Sequence, residues 1–441
     1  MAGNKDKEKF LSAFEPRFAN ANGASWLSEL RRSAIERFSA LGFPTTRHED
    51  WKYTNVDPIT GLDFSLPQPS GVKVAADDLL SLSFADGAAN RLVFVDGLYS
   101  GKHSSTKNLP PGLRVQSLAE LLSQDDALLA PWLGRYAGFE ERSFVALNTA
   151  FMEDGGVVFV PSGCRMEEPI HMVFVSTGAA RALVFHPRNL IVCGADSEIR
   201  IVESYTGLDR GVYFANPVTE IAGAAGSVID HYRLQRESDA AFHVGTISAR
   251  LERGTSLTSH HVTLGGALVR NDVHAILGGE GSECSLNGLY LTEGDQHIDN
   301  HTEIDHAQPR ASSRELYKGI LRGRARGVFN GKIIVRKAAQ KTDARQTNKN
   351  LLLSKHAVVN SKPQLEIYAD DVKCSHGSTI GQLDRDALFY LRARGIGVDD
   401  ARSLLSYGFA AEILGRMKIA TLRARLEEYL LTQFGRTAAL Q

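Results

Sequence analysis

The sequence predicts a mainly β protein, one long β-rich body with a helical region at each end. Three observations carry that expectation. From Gly156 onward, short runs rich in Val, Ile, Thr and aromatics follow one another. Gly or polar turns break them about every ten residues, which is the signature of strands. No helical segments alternate with these runs, which argues against a doubly wound parallel sheet. Both ends of the chain, by contrast, place apolar residues at helical spacing.

The first region, residues 1–90, opens with helices. "SWLSELRRSAIERFSALG" sets Leu27, Leu30, Ala34, Phe38 and Leu41 on one helical face. Ser25 is the expected N-cap and Gly42 the expected stop. The earlier "EKFLSAF" reads as another turn or two of helix, and Pro- and Gly-containing loops run from Pro58 to about Gly71. Between them "RHEDWKYTN", Arg47 to Asn55, mixes charges with Trp51 and Tyr53. Such aromatics are expected to clamp the helical region to the β body while the charges pair locally.

Residues 91–383 form the β-rich body, with regular strands mainly from about residue 156 and a helix expected only near "LAELLSQDDALLAPWLG". The strands include "VVFVPSG", "EIRIVESYTG", "AFHVGTISAR", "GVFNGKIIVRK" and "QLEIYADD". The region is more than twice the roughly 100 residues of a sandwich. Two sandwiches, a large barrel or a β-solenoid remain open, and no fixed-period repeat selects among them. Residues 384–441 return to helix: Asp384 and Asp399 read as N-caps and Gly395 as a stop. In the last helix Ile419, Leu422, Leu426, Tyr429 and Leu430 share a face.

Fifty basic side chains against 51 acidic ones leave a net charge of −1, which gives no global pull toward nucleic acid or an acidic polymer. No apolar run approaches the roughly 20 residues of a membrane span, and "MAGNKDKEKFLSAFEP" has no apolar signal core. The expected location is the cytoplasm. Cys164, Cys193, Cys284 and Cys374 are far apart and form no CxxC pair. They are expected as thiols, the first three acting as small hydrophobes.

Four stretches could carry chemistry. In "YADDVKCSHGSTIGQLD", Cys374 and His376 point to one side if the chain is extended. Thiolate and imidazole suit zinc and iron–sulfur species, yet the four-ligand pattern of a closed zinc site is missing. A buried thiol beside a surface imidazole is the plainer alternative. In "DQHIDNHTEIDH", His297, Asp299, His301, Glu303 and Asp305 alternate onto one face. That face is a candidate divalent-metal or interface surface, or simply the polar outer side of a sheet. A basic run, Arg322 to Lys349, contains one acid, Asp343, and one aromatic, Phe329. It reads as a solvated or protein-facing surface, because single-stranded nucleic acid wants interleaved aromatics. No Walker A, Rossmann, GxSxG or HExxH motif occurs.

The stretch "EIYADDVKCSHGSTIGQLDRDALFYLRARGI" (366–396) resembles the C-terminal signature of the SufB/SufD family of iron–sulfur cluster assembly scaffolds, on its SufD side. "HEDWKYTN", "ALNTAFMEDGGVVFVPSG" (146–163) and "NGKIIVRKAAQKTDARQTNKNLLLS" (330–354) resemble other family motifs, so the likeness covers most of the chain. It implies a right-handed parallel β-helix flanked by helical regions, pairing with a SufB-like sibling, or with a second copy of itself in isolation. It implies an ABC-type ATPase, SufC, docked on the C-terminal helices, where Leu388, Tyr390, Leu391, Leu404, Leu405 and Phe409 are the expected contacts. A nascent cluster or iron would be held at the sibling interface by His376, with Cys374 beside it, and the family complex can bind reduced flavin. SufB has an essential cysteine where this chain has Asn348 or a neighbour, so this chain is expected to be a non-catalytic partner in a shared site. The competing expectation is a β-helix enzyme on a polysaccharide, using a divalent ion on the His297, Asp299 and His301 face.

Overall fold

The computed structural model describes residues 5–18, 24–67, 74–75, 84, 89–178 and 182–438. The loop expected to continue to Gly71 therefore lies partly outside the described residues. Two sheets, one of ten strands and one of eleven, face each other. From Gly156 the chain alternates between them, one strand to each per turn except in two turns where the eleven-stranded sheet takes two short strands (Leu183–Phe185 with Arg188–Cys193, and Tyr213–Ala215 with Val218–Gly223), and neighbours along either sheet are parallel. This is a β-solenoid of about 8 turns, the one candidate among the three that stacks a long β region by repeating a single unit.

Along one sheet, position Phe242 pairs with Leu268, Leu268 with His297, His297 with Arg326, and Arg326 with Val358. The steps range from about 26 to about 32 residues, inside the usual span of solenoid repeats. Because they are unequal, the sequence shows no fixed period.

The first turn is closed off by short antiparallel strands: Leu98–Tyr99 against Asn90–Val95 on one sheet, and Arg114–Ser117 against Gly156–Val160 on the other. The last turn, Val358–Ile367 and Lys373–Gly381, forms the far edge of both sheets.

Inward side chains fill the lumen with Ile191, Ile199, Ile229, Ile247, Leu286, Ile304 and Phe329 among others. A hydrogen-bonded chain also runs through it. Glu203 Oε1 lies 3.0 Å from His231 Nε2, and His231 Nδ1 lies 2.8 Å from Ser259 Oγ. Ser259 Oγ lies 2.8 Å from His261 Nε2, whose Nδ1 lies 3.0 Å from the Tyr317 hydroxyl. Buried polar groups need such partners. Tyr317 reaches His261 across an intervening turn because that turn offers Gly288, where a Cβ would stand 2.1 Å from the Tyr317 ring.

The helices cover the outer faces. Lys5–Phe18 and Ser25–Leu41 pack with Ser143–Phe151 through Phe10, Phe14, Phe38, Phe144 and Phe151 onto Phe214, Phe242 and Leu268 of the eleven-stranded sheet. Val398–Leu414 and Ala420–Ala438 bury Ile413, Leu414, Leu422, Leu426 and Leu430 against Tyr232, Val262, Leu289 and Leu316 of the ten-stranded sheet. The shared face expected of the last helix is thus core, anchored by Lys418 Nζ on Asp230 at 2.9 Å.

Asp384 caps its helix, accepting from Asp386 N and Ala387 N, and Gly395 takes a positive φ of 84° after the stop. Three local expectations are corrected. Ser25 is the first helical residue, preceded by Ala24 without a side-chain cap. Asp399 lies in the first turn after Gly397, where its charge complements the helix N-terminus instead of capping it. Helix Ser143–Phe151 was expected as neither helix nor strand; it buries every residue from Phe144 to Phe151. A helix enclosed on all sides has no polar stripe, so periodicity cannot reveal it.

Candidate functional site

The open last turn carries the Cys374–His376 pair. Strand Lys373–Gly381 is exposed at every position except the half-buried Cys374. One side of this strand is bonded to Asp343–Leu352, and its other side has no strand neighbour among the described residues.

Register fixes which residues face the lumen. Cys374 pairs with Ala344, which stacks on Ser313 and then Cys284, three turns down. His376 pairs with Gln346, which stacks on Glu315. Ser378 pairs with Asn348, which stacks on Tyr317. Ala344, Gln346 and Asn348 are all buried, so Cys374, His376 and Ser378 lie on the lumen side of the exposed rung, as the extended reading expects.

Cys374 touches the cluster of Ile333, Val335 and Ala344, and partial burial, with Asp343 nearby, raises its thiol. It therefore keeps its proton at neutral pH in this state. Cys193 is pushed up to about 12 by burial, and burial also raises Cys284. Both sit in the core as small hydrophobes. All four cysteines are free thiols.

Asn348, one turn below the edge, is locked in place. Its Oδ1 accepts from Ser361 Oγ at 2.8 Å and from Asn350 Nδ2 at 2.6 Å, and Ser378 Oγ joins Ser361 Oγ at 2.8 Å. A neutral amide here supplies neither thiolate nor imidazole. Among the described residues no three His, Cys, Asp or Glu side chains come together as a metal-holding group. The donor set of Cys374 and His376 fits iron or an iron–sulfur species in type, but it supplies two ligands where such a centre takes four.

His297, Asp299, His301, Glu303 and Asp305 do share the outer face of strand His297–His306, as the alternation predicts. They are not free to ring a metal. Asp299 accepts from Thr54 Oγ1 at 2.5 Å and from Arg270 Nη1 at 3.0 Å, and His301 Nε2 lies 3.0 Å from its other oxygen. His297 Nε2 lies 2.9 Å from Thr54 Oγ1, and Arg336 Nε donates to Asp305 at 2.9 Å. Burial alone would raise the Asp299 carboxyl; His301 and Arg270 outweigh it and hold it well below the usual carboxylate range. The ion-binding surface that a polysaccharide enzyme would need is instead an ion-paired seam between the N-terminal segment and the solenoid.

That seam also revises the "RHEDWKYTN" expectation. Trp51 does clamp, lying 3.9 Å below the Arg270 guanidinium and 5.3 Å from the Phe144 ring. Tyr53 is exposed, and Glu49 pairs with Lys362 on the last turn, not with a local charge. The basic run is neutralised mostly by acids on adjacent turns or helices: Arg324 by Asp295 at 2.7 Å, Lys332 by Glu366 at 3.0 Å, Lys349 by Glu412 at 3.3 Å.

The expected ATPase contacts divide into two groups. Tyr390 and Leu404 are 55% and 48% exposed, while Leu388, Leu391, Leu405 and Phe409 are half-buried. Phe409 lies 3.9 Å beneath the Lys318 ammonium and so packs on the body. Helix Arg385–Ala393 buries none of its residues, and its most open apolar side chain, Phe389 at 73%, was not among the expected contacts.

A solenoid with one open end and a helical collar on each sheet is the setting for the family comparisons. The SufBD core domain of the SUF FeS cluster assembly system matches residues 174–409, and the SufBD N-terminal region matches residues 5–172. The chain belongs to the SufBD family of the SUF system for iron–sulfur cluster assembly. Within it the likeness is to SufD. The chain is 32% identical over 394 residues to the iron–sulfur cluster assembly protein SufD of Escherichia coli, covering 89% of each. It is 34% identical over 412 residues to the SufBD family protein slr0076 of Synechocystis, covering 92% of this chain and 90% of that one. It is 30% identical over 411 residues to the chloroplastic protein ABCI7 of Arabidopsis thaliana, covering 92% and 85%. No helix among the described residues is long and apolar enough to cross a membrane.

Proposed function

We propose that this chain is a non-catalytic scaffold subunit whose open solenoid end docks a SufB-like sibling. There it presents His376, with Cys374 beside it, to iron or a nascent cluster shared between the two chains. The observation that carries this reading is the uncovered last turn. Two edge strands of nine and ten residues, each with an unpaired side among the described residues, meet a pair of soft and borderline ligands. Edge strands of this length are normally covered, and a second solenoid would supply both the backbone partners and the missing ligands.

The two side chains would work differently. An imidazole nitrogen is a suitable ligand for iron. The Cys374 thiol, raised by burial, must give up its proton as an Fe–S bond forms. His376 is therefore the first contact, and Cys374 joins only where the metal itself displaces the proton. The C-terminal helices would dock a SufC-like ABC-type ATPase through the exposed side of Arg385–Ala393 and Leu404, which is consistent with a chain that has no Walker motif of its own.

The test is His376→Ala in the complex reconstituted with sibling and ATPase. The variant should assemble as the wild type does and load less iron. Full cluster yield from an assembled His376→Ala complex would remove this residue from the site.

A further inference from the structure

Gln346 lies directly beneath His376 on the lumen side, and Glu315 lies beneath Gln346. Gln346 is 1% exposed inside the lumen. Its Nε2 donates to Glu315 Oε2 at 2.7 Å. The other end of the same amide, Oε1, is buried with no hydrogen-bond partner among the described residues. An unpartnered buried carbonyl oxygen costs free energy and is rare in folded proteins. The fold nonetheless makes room for this amide. Gly331 faces it from the opposite sheet, where a Cβ would stand 2.3 Å from Gln346 Nε2.

The orientation of the amide is set from below. The two ends of a glutamine amide have nearly the same shape, so the neighbouring group decides which end points where. Glu315 Oε2 accepts from the nitrogen, and this turns the oxygen away from Glu315. The next side chain along that column is His376.

We infer that Gln346 is a positioning residue for His376. The His376 ring is exposed in this structure and does not reach Gln346 Oε1; turned inward over the amide, a ring N–H donates to that oxygen, which fixes the tautomer and leaves the lone pair of the other ring nitrogen facing the open end. Glu315 is the anchor that holds the amide in the required sense. Histidines that bind metal commonly donate their second nitrogen to a carbonyl or carboxylate in this way, and loss of that partner typically weakens binding by about 10- to 100-fold. The inference rests on His376 as a ligand for iron, but the hydrogen bond belongs to this chain alone.

The test uses the full-length chain with ¹⁵N-labelled histidine, the His376 signal being assigned by its loss in His376→Asn. Wild type should show one dominant His376 tautomer. Gln346→Met, which keeps length but removes the acceptor, should show the mixture of a free side chain, and Gln346→Glu should restore a single form. In the reconstituted complex Gln346→Met should bind ferrous iron about 10- to 100-fold more weakly, with recovery in Gln346→Glu. If Gln346→Met does not fold, Glu315→Gln, which frees the amide to turn, should produce the same mixture. An unchanged tautomer in Gln346→Met, or weaker binding without a tautomer change, would overturn the positioning role while leaving His376 as a ligand. A tautomer change combined with normal iron loading in His376→Ala would instead remove the ligand reading and leave the hydrogen bond standing.

Discussion

The proposed docking of a SufC-like ATPase on the C-terminal helices predicts that replacing Phe389 by Ala weakens capture of that ATPase while leaving the fold intact. Phe389 is 73% exposed on a helix that buries none of its residues, so little of its ring is committed to the fold. Burying a whole phenylalanine contributes about 1.5–3 kcal/mol. About three quarters of that is still available, so covering the ring would stabilise the complex by about 1–2 kcal/mol, or about 5- to 30-fold in Kd. The cost to the isolated chain should stay within about 0.5 kcal/mol, as for most surface substitutions. Titration calorimetry against the ATPase, with thermal unfolding in parallel, reads both quantities. Leu422→Ala is the control with the reverse pattern. That side chain is buried against the sheet, and its loss should cost the fold about 2–5 kcal/mol. Truncation after Asp384 would be a poorer test, because it uncovers Tyr232, Leu289 and Leu316 along with the docking face. Unchanged affinity in Phe389→Ala, and again in the double variant with Leu404→Ala, would rule out this face as the docking surface.

Two further outcomes are expected. Glu203→Gln leaves the Arg233 guanidinium, bonded to Glu203 Oε2 at 2.9 Å, without its counter-charge inside the lumen. The loss should be about 3–5 kcal/mol in denaturant unfolding, and a loss under about 1 kcal/mol would mean the ion pair is dispensable. Stability should also fall as pH drops from about 6.5. Burial lowers His171, His186 and His260 to about 3 and His306 to about 4, so each takes up a proton on unfolding below its ordinary value. Their contribution is present above that value and is lost as pH falls toward the folded one. Glu203 and Asp299, held low against the effect of burial by Arg233, His301 and Arg270, add a second loss below the ordinary carboxylate range. Glu315, raised by burial to about 7, acts in the opposite sense, its contribution fading as pH rises toward that value. A Tm that stays flat from pH 7 to pH 5 would contradict this balance.

Much of the fold was legible because its signals are local. The strand runs, the Asp384 cap and the positive φ at Gly395 each depend on a few adjacent residues. The shared side of Cys374 and His376 followed from the two-residue period of a strand. What stayed hidden depends on residues about a turn apart in a solenoid with unequal turns. Nothing near Glu203 announces that His231 and Arg233 will neutralise it, and nothing near Asp299 announces Thr54 or Arg270. Gln346 was obscured in a further way. The inward positions of "DARQTNKN" are Ala344, Gln346, Asn348 and Asn350, three of the four polar, which gives no hydrophobic alternation to read. Phe389 shares its short helix with the expected contacts Leu388, Tyr390 and Leu391, and sequence alone does not say which face of that helix is left open.

The asymmetry of the two solenoid ends limits how far association can go. A stack of strands with two bare ends could add chains indefinitely and grow into a fibre. Among the described residues one terminus is stopped by two- and four-residue antiparallel strands, and only the other presents long edges. Each molecule therefore has a single valence. Joining two chains end to end, alike or different, consumes both valences, and growth stops at a pair.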